Sequence, residues 1–177
     1  MKKIAIFGAG GFGREVKWLI DEINVVNPQW DFIGYFDDDF SHVKNIEQAF
    51  FLGGTAELNL WKEQVYLVFA IGNPVVKRKI FNKISNQNIL YPTLIHPNVC
   101  MGKSNVSIGE GSIICAGNII TIDINIGRHV ILNLCCTVGH DSVIGDFSSF
   151  MPGINISGEV NRSEEHTSEL QSLRHIS

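Results

Sequence analysis

His140 and Asp141 stand side by side in the stretch TVGHDSVIGD, residues 137–146, and together could act as a base. An imidazole with an ordinary pKa of about 6.5 can remove a proton at neutral pH, and a nearby carboxylate can orient the ring and stabilise its charged form. Adjacent residues of an extended chain point apart, so direct contact requires a bent corner, unless another subunit supplies the carboxylate. The alternative is a polar corner residue without chemistry.

A second chemical signal is the run GAGGFG, residues 8–13, which follows the apolar stretch KKIAIF. Glycines at this spacing let the backbone approach a ligand, and the free N–H groups at the start of the next helix favour phosphate oxygens. We therefore predict a substrate-binding turn at Gly8, Gly10, Gly11 and Gly13. A tight turn that binds nothing is the alternative.

Strands and helices alternate around this turn. The second predicted strand, 31–36, ends in Asp37, Asp38 and Asp39, whose carboxylates could accept hydrogen bonds from a ribose or base or could simply form a solvated turn. The third, 65–71, runs into Gly72-Asn73-Pro74, and proline suits the first turn of a helix. We count Asp37, Asp38, Gly72 and Asn73 among the predicted substrate-binding residues.

Apolar residues at helical spacing predict one apolar face on each of the two helices, with Val16, Leu19, Ile20 and Ile23 in the first and Val76, Ile80 and Ile84 in the second. Only about 90 residues precede the next domain, too few for both halves of a dinucleotide site. A mononucleotide or nucleotide-sugar fits this length better than NAD.

From Ile108 to Ile156 an apolar residue recurs at every sixth position, and glycine often follows it. This period fits neither a helix nor a simple strand, but it is typical of a parallel β-helix in which each hexapeptide forms one short strand and one corner. The sequence predicts about three coils, with each apolar residue stacked on its equivalent one coil away. We expect His96 at the domain junction and His129 at a surface corner.

The periodicity stops after Gly158, and the remainder is polar. Residues 162–172, RSEEHTSELQS, match at every position a translation of a common sequencing-library adapter. We therefore predict that 161–177 is a non-native, disordered tail and that the β-helix domain is truncated. A chain that lacks its later coils is expected to be inactive by itself, and a natural charged tail is the alternative.

Composition excludes several classes of protein. The chain of 177 residues is 45% hydrophobic with a net charge of −4, which argues against a nucleic-acid or anionic-membrane binder. It shows no signal peptide and no apolar run long enough to span a bilayer. Four cysteines without paired spacing are expected to be reduced core thiols, which indicates a cytoplasmic protein.

Five stretches in this order, GAGGFGRE, FDDD, AIGNPVVKRKI, LIHPNV and TVGHDSVIGD, resemble bacterial sugar O-acyltransferases of the sialic acid O-acetyltransferase family. These hexapeptide-repeat enzymes are related to UDP-4-amino-sugar N-acetyltransferases. The resemblance extends over residues 1 to about 159. It implies a Rossmann-like acceptor domain, 1–93, a left-handed β-helix, 94–160, and a homotrimer that binds acetyl-CoA between neighbouring β-helices without a metal.

The resemblance also implies residue roles. The family's catalytic histidine corresponds to His140 and its acidic partner to Asp141. Contacts with the acceptor correspond to Gly10, Gly11, Asp37, Asp38 and Gly72, with Asn133 near the reacting group, and Gly158 corresponds to a contact for acyl-CoA. Phe12 and Ser149 replace histidines of the UDP-amino-sugar enzymes, and Asp141 is shorter than their glutamate, so that particular acceptor is less well supported.

These observations predict an acyl-CoA-dependent transferase that acetylates a hydroxyl or an amine of a sugar or nucleotide-sugar in bacterial surface-glycan synthesis. His140 would be the general base in a direct attack on the thioester. The alternative from another class is a noncatalytic, trimeric nucleotide-sugar-binding scaffold, and a nicotinamide oxidoreductase is supported only by residues 8–13. The sequence leaves the acceptor, the acyl group and the choice between O- and N-acylation open.

Overall fold

The computed structural model describes residues 1–44, 46–162 and 167–168, and its first part is a five-stranded parallel sheet with connecting helices. The strands are β1 Lys2–Phe7, β2 Trp30–Phe36, β3 Phe51–Gly53, β4 Val65–Phe69 and β5 Ile89–Leu90. The helices are α1 Gly11–Val26, α2 Phe40–Val43, α3 Thr55–Asn59 and α4 Pro74–Phe81, with a 3-10 turn at Gln48–Phe50. The strand order β3-β2-β1-β4-β5 is Rossmann-like and reverses between β1 and β4, where such sheets bind ligands at their carboxyl ends.

The two helices beside this crevice differ in how well their faces were predicted. In α1, Val16, Leu19, Ile20 and Ile23 are buried as expected. The helix α4 is shorter than predicted, because it ends at Phe81, before Ile84, and its fully buried residues are Pro74 and Lys77. Val76 and Ile80 both line a cavity, and Ile80 and Ile84 also pack, partly buried, against an apolar cluster of the core.

The second part is a parallel β-helix of short strands in three sheets. Its strands are β6 Leu94–Ile95, β7 Cys100–Met101, β8 Val106–Ile108, β9 Ile113–Ile114, β10 Ile119–Ile120, β11 Ile124–Ile126, β12 Ile131–Leu132, β13 Thr137–Val138, β14 Ser142–Ile144, β15 Ser149–Phe150, β16 Asn155–Ile156, β17 Asn161–Arg162 and β18 Thr167–Ser168. In the described residues the three sheets hold four, four and five strands, more than the expected three coils, because β6 and β7 precede the hexapeptide repeat and β17 and β18 follow it.

Equivalent residues of successive coils are paired, as the sequence predicted. Ile126 pairs with Ile108 and Ile144, and Leu132 pairs with Phe150. These inward side chains form one buried apolar column per sheet. Because each coil rests on its neighbour through both backbone hydrogen bonds and stacked side chains, the position of any corner residue is set by the coils on either side.

The corners of the β-helix repeat a left-handed backbone conformation. Asn105, Asp123, Asp141 and Glu159 have φ of 51°, 55°, 54° and 60°, and they occupy the same corner of four coils. His129 and Phe147 occupy a second corner with φ of 54° and 62°. Left-handed residues turn the chain sharply, and asparagine and aspartate tolerate this conformation better than most residues.

Several side-chain contacts join the domains, and Lys77 and His96 take part in two of them. Lys77 of α4 is 0% exposed, and its Nζ donates a hydrogen bond to Ser149 Oγ of β15 at 3.0 Å. Burial lowers the pKa of Lys77 to about 7. The ring of His96 lies 5.7 Å from that of Trp18 in α1, which confirms the expected junction role of His96.

His129 is not the expected surface residue, since it is 1% exposed. Its ring lies 4.8 Å from that of Phe81 and 5.0 Å from those of Tyr91 and Phe147, measured between centroids. Within the described part of the chain neither ring nitrogen has a hydrogen-bond partner. The sequence suggested a surface corner because nothing in the local repeat shows that α4 covers it.

Strand pairing continues past the predicted boundary at residue 160. Val143 of β14 pairs with Asn161 of β17, and Ser149 of β15 pairs with Thr167 of β18. The prediction of a non-native, disordered tail falls largely on positions outside the described residues and stays a prediction. All four cysteines are free, but only Cys115 and Cys136 are buried, so the expectation of core thiols holds for two of them.

Candidate active site

A cavity of about 490 Å³ opens at the carboxyl ends of β1, β2 and β4, where the strand order reverses. Its walls come from the glycine-rich turn, from the acidic turn after β2 and from the start of α4. The lining residues are Gly8, Gly10, Gly11, Phe12, Asp37, Asp38, Asp39, His42, Ala70, Ile71, Gly72, Val76 and Ile80. The fold therefore brings together six of the predicted substrate-binding residues, Gly8, Gly10, Gly11, Asp37, Asp38 and Gly72.

The four glycines of the turn serve different purposes. A side chain at Gly8 would meet Ala70 O at 2.7 Å, and one at Gly13 would meet Gly8 O at 2.0 Å, so close backbone packing requires both. Nothing lies within 4 Å of a Cβ placed on Gly10 or Gly11. The fold itself leaves these two positions open, and no side chain caps the start of α1 at Gly10. Their open backbone suits a ligand that carries phosphate.

The carboxylates of the acidic turn already hold the loop together. Asp37 Oδ2 accepts hydrogen bonds from Ala9 N at 2.8 Å, and Asp37 Oδ1 accepts from Asp39 N at 2.8 Å. Asp38 accepts from both the backbone N and the hydroxyl of Thr55, each at 2.7 Å. These bonds fix the orientation of both carboxylates, and the remaining lone pairs can still accept from a ligand.

His42 is a cavity residue that the sequence reasoning missed. Its Nδ1 lies 2.9 Å from Asp37 Oδ2, and an ionised carboxylate can only accept, so Nδ1 carries the proton. The ring is half-exposed, and its Nε2 lies 3.8 Å from Asp39 Oδ2. The sequence feature that could have indicated it is a histidine in the short helix α2, which begins directly after the acidic residues.

His140 and Asp141 form the direct contact that their adjacency left in doubt. His140 Nδ1 lies 2.8 Å from Asp141 Oδ2. The left-handed φ of 54° at Asp141 bends the chain at the corner between β13 and β14, which turns both side chains to the same side. The side chain of His140 is 58% exposed. A carboxylate therefore holds one ring nitrogen, while the ring itself stays accessible to a reactant.

Several predicted site residues lie elsewhere in the described chain. Asn73 Oδ1 accepts from Val76 N at 3.1 Å and caps α4. Asn133 is buried, and its Oδ1 accepts from Leu134 N at 2.7 Å. Neither residue lines the cavity described above, and neither does His140. Gly158 instead lies against the His140 ring, since a Cβ placed on it would be 2.7 Å from Nε2.

The described residues, with 45, 163–166 and 169–177 outside them, lack two kinds of feature. They contain no group of three or more histidine, cysteine, aspartate or glutamate side chains arranged to hold a metal ion. Their helices are all too short or too polar to cross a membrane.

Comparison with known sequences identifies relatives of both parts. Residues 3–84 match the PglD N-terminal domain family. Over 160 residues the chain is 29% identical to GDP-perosamine N-acetyltransferase of Escherichia coli O157:H7, and the match covers 90% of this chain and 72% of the relative. Over 119 residues it is 32% identical to UDP-N-acetylbacillosamine N-acetyltransferase of Bacillus subtilis (strain 168), and this match covers 66% of this chain and 52% of that relative. The chain thus spans about half of the second relative.

Solved structures share the whole architecture. WeeI from Acinetobacter baumannii AYE superposes with a TM-score of 0.77 at 26% identity, over 92% of this chain and 76% of that one. The acetyltransferase domain of PglB from Neisseria gonorrhoeae FA1090, in complex with acetyl coenzyme A, gives 0.62 at 22% identity, over 93% and 89%. The predicted fold, an α/β domain followed by a left-handed parallel β-helix, is confirmed.

The fold and the matches make the chain a homologue of hexapeptide-repeat sugar acetyltransferases, with an α/β domain before the parallel β-helix. More specifically, the chain carries a PglD N-terminal domain and is homologous to GDP-perosamine and UDP-N-acetylbacillosamine N-acetyltransferases. This confirms the predicted relation to sugar acetyltransferases. The nearer resemblance to the sialic acid O-acetyltransferase family stays a prediction.

Proposed function

We propose that the chain transfers an acetyl group from acetyl-CoA to the amine of a nucleotide-linked sugar in bacterial surface-glycan synthesis. The observation that carries this proposal is the His140–Asp141 pair, with 2.8 Å between Nδ1 and Oδ2, at an accessible corner of the β-helix. The two curated relatives are named as N-acetyltransferases, which favours an amine over the hydroxyl that the sequence left open.

The acceptor would bind in the cavity of the α/β domain. Three carboxylates, of Asp37, Asp38 and Asp39, line one wall and would repel a diphosphate. The open backbone at Gly10 and Gly11, at the start of α1, would hold the phosphates, and the acidic turn would face the neutral hydroxyls of a ribose or the donors of a base. This arrangement of charge gives the nucleotide one orientation.

His140 would act as the general base. Its Nδ1–H donates to the Asp141 carboxylate, so Nε2 carries the free lone pair. As the amine nitrogen attacks the thioester carbonyl carbon, Nε2 accepts the amine proton, and the carbon–sulfur bond then breaks. The imidazolium, stabilised by Asp141, returns the proton to the departing CoA thiolate, and such acid–base catalysis contributes about 10²- to 10⁴-fold.

We further propose that a complete site forms only between copies of the chain in a homotrimer, with acetyl-CoA bound between neighbouring β-helices near Gly158. Within one chain, His140 and Asn133 are absent from the described cavity lining. The β-helix also presents large exposed apolar side chains at Met101, Ile119, Ile122 and Val143, which a neighbouring copy would cover.

Replacement of the base tests the proposed reaction. His140→Ala should lower turnover at least about a hundredfold while GDP or UDP binds as in the parent chain. Turnover is followed by release of the CoA thiol, both in this chain and in a fusion that carries the remaining residues of the Bacillus subtilis relative after Val160. Near-normal turnover in the variant would refute the role of His140. A product that mild hydroxylamine cleaves would be an ester and would refute N-acetylation.

Mixing a variant without the base and a variant with a weakened acceptor site tests the composite site, at acceptor concentrations where each variant alone has little activity. If the cavity of one copy works with His140 of another, His140→Ala and Gly11→Val subunits should regain part of the activity when they are unfolded and reassembled together. Activity that never returns in mixed oligomers, with each variant shown to be folded, would place all the reacting groups in a single chain.

A further inference from the structure

Gly158 lies in the same corner column as the proposed base. Equivalent positions of the β-helix are eighteen residues apart, as the pairing of Ile126 with Ile144 shows, so Gly158 occupies the place of His140 one coil later. A Cβ placed on Gly158 would lie 2.7 Å from Nε2 of His140, 2.8 Å from Cε1 and 3.1 Å from Cδ2. Carbon contacts are normally about 3.5–4.0 Å, so the imidazole occupies the space where any side chain would begin.

The backbone of Gly158 does not itself explain the glycine. Its φ lies outside the left-handed region, whereas Gly111, Gly117 and Gly153 at other corners have φ of 72°, 74° and 73°. The three atoms nearest to a Cβ at 158 all belong to the His140 ring. The fit of that ring is therefore the reason that the structure gives for glycine at this position.

Two hydrogen bonds oppose movement of the imidazole away from a new side chain. The carbonyl oxygen of His140 accepts a hydrogen bond from Glu159 N at 2.8 Å, which fixes the backbone of one coil to the next. The Asp141 carboxylate holds Nδ1 at 2.8 Å. Together these bonds favour the ring position that a Cβ on Gly158 would meet.

We propose that Gly158 is a positioning residue for His140, which sets the direction of Nε2 by providing a surface without a side chain. This inference rests on the proposed function only for its effect on turnover. It adds a second role to the predicted acyl-CoA contact at Gly158, and the two roles have different consequences. Loss of a CoA contact raises KM for acetyl-CoA, whereas a displaced base lowers kcat.

A double-mutant cycle tests the contact without any assay of activity. Gly158→Ala should lower Tm by at least about 3 °C in the parent chain. In a His140→Ala background the same substitution should leave Tm within about 1 °C, because the ring that opposes the methyl group is gone. An equal loss of Tm in both backgrounds would overturn the proposal, since the glycine would then serve the backbone. If Gly158→Ala alone does not fold, recovery of folding in the double variant supports the proposal, and failure of both overturns it.

Kinetics and imidazole NMR then test the positioning role. In this chain, or in the fusion described above if only the fusion turns over, Gly158→Ala should lower kcat by about tenfold to a hundredfold with KM for acetyl-CoA within about twofold. The ¹⁵N signals of the His140 ring should also shift in the variant. A raised KM with unchanged kcat and unchanged ring signals would overturn the proposal and leave only a CoA contact. If His140→Ala retains turnover, the proposed function fails, and the Tm cycle still decides whether Gly158 positions the ring.

Discussion

Acidification should destabilise the protein through His129. Burial, followed by the charges of Lys77 and Arg128, lowers the pKa of His129 to about 4, and the carboxylate of Asp146 opposes the shift only in part. In the unfolded chain the pKa returns to about 6.5. Between these values the unfolded state binds a proton that the folded state excludes. The free energy of unfolding is therefore not reduced by His129 above pH 6.5, and it falls as the pH drops to 4.

The size of the effect follows from the shift. Each pKa unit corresponds to about 1.4 kcal/mol, so a shift of about 2.5 units costs about 3 kcal/mol over this window. Such a loss is a large part of the stability of an ordinary domain, about 5–15 kcal/mol. The carboxylates whose pKa is lowered, such as Asp146, lose their contribution mainly at lower pH.

Urea unfolding at steps from pH 7 to pH 4 measures this loss, with His129→Phe as the matched control. Phenylalanine keeps an aromatic ring among Phe81, Tyr91 and Phe147 but cannot take up a proton. It also suits the backbone, since Phe147 occupies the same corner one coil later with φ of 62°. The variant should lose about 3 kcal/mol less than the parent between these pH values. Equal losses in the two proteins would refute the reasoning.

Three further changes have defined outcomes. The Tm of the parent chain should rise between about pH 7 and pH 10, because burial lowers the folded-state pKa of Lys77 to about 7 and above that pH only the unfolded chain keeps the proton. Lys77→Met should abolish this rise, and a rise of equal size in the variant would contradict the reasoning. Gly11→Val should weaken GDP or UDP binding at least about tenfold by calorimetry with unchanged Tm, since nothing lies within 4 Å of a Cβ there. Asp141→Asn should lower turnover at least about tenfold. The double variant His140→Ala/Asp141→Asn should turn over no more slowly than His140→Ala, and additive losses of turnover would argue against a shared role of the two residues.

The β-helix could be predicted because its signal is local. The apolar residues at every sixth position form the sequence pattern, and the same residues point inward in the structure. Their spacing therefore predicts directly that Ile108, Ile126 and Ile144 stack on one another. The glycine-rich turn and the acidic turn were also recognisable, and the fold brings Gly10 and Asp37 to the same cavity. Local spacing, however, could not show that Gly8 and Gly13 serve packing while Gly10 and Gly11 stay open.

The features that sequence reasoning missed depend on contacts between distant residues. From the sequence, Lys77 would be expected on the exposed face of an amphipathic helix. Its burial is explained only by its contact with Ser149, which lies in the other domain. His129 resembles any other polar corner until α4 and Tyr91 cover it. The contact between His140 and Asp141 needed the left-handed corner, whose angle follows from the stacking of whole coils and not from either residue alone.

The pairing of residues eighteen positions apart makes the β-helix sensitive to length in a specific way. An insertion of six residues before Thr137 would keep every apolar side chain inward, yet it would carry His140 to the next of the three faces. An insertion of a whole coil would return His140 to its own face, with Gly158 still following one coil later. Related chains can therefore gain or lose entire coils ahead of the His140 corner and keep it intact, whereas a single hexapeptide would keep the fold and move His140 to another face.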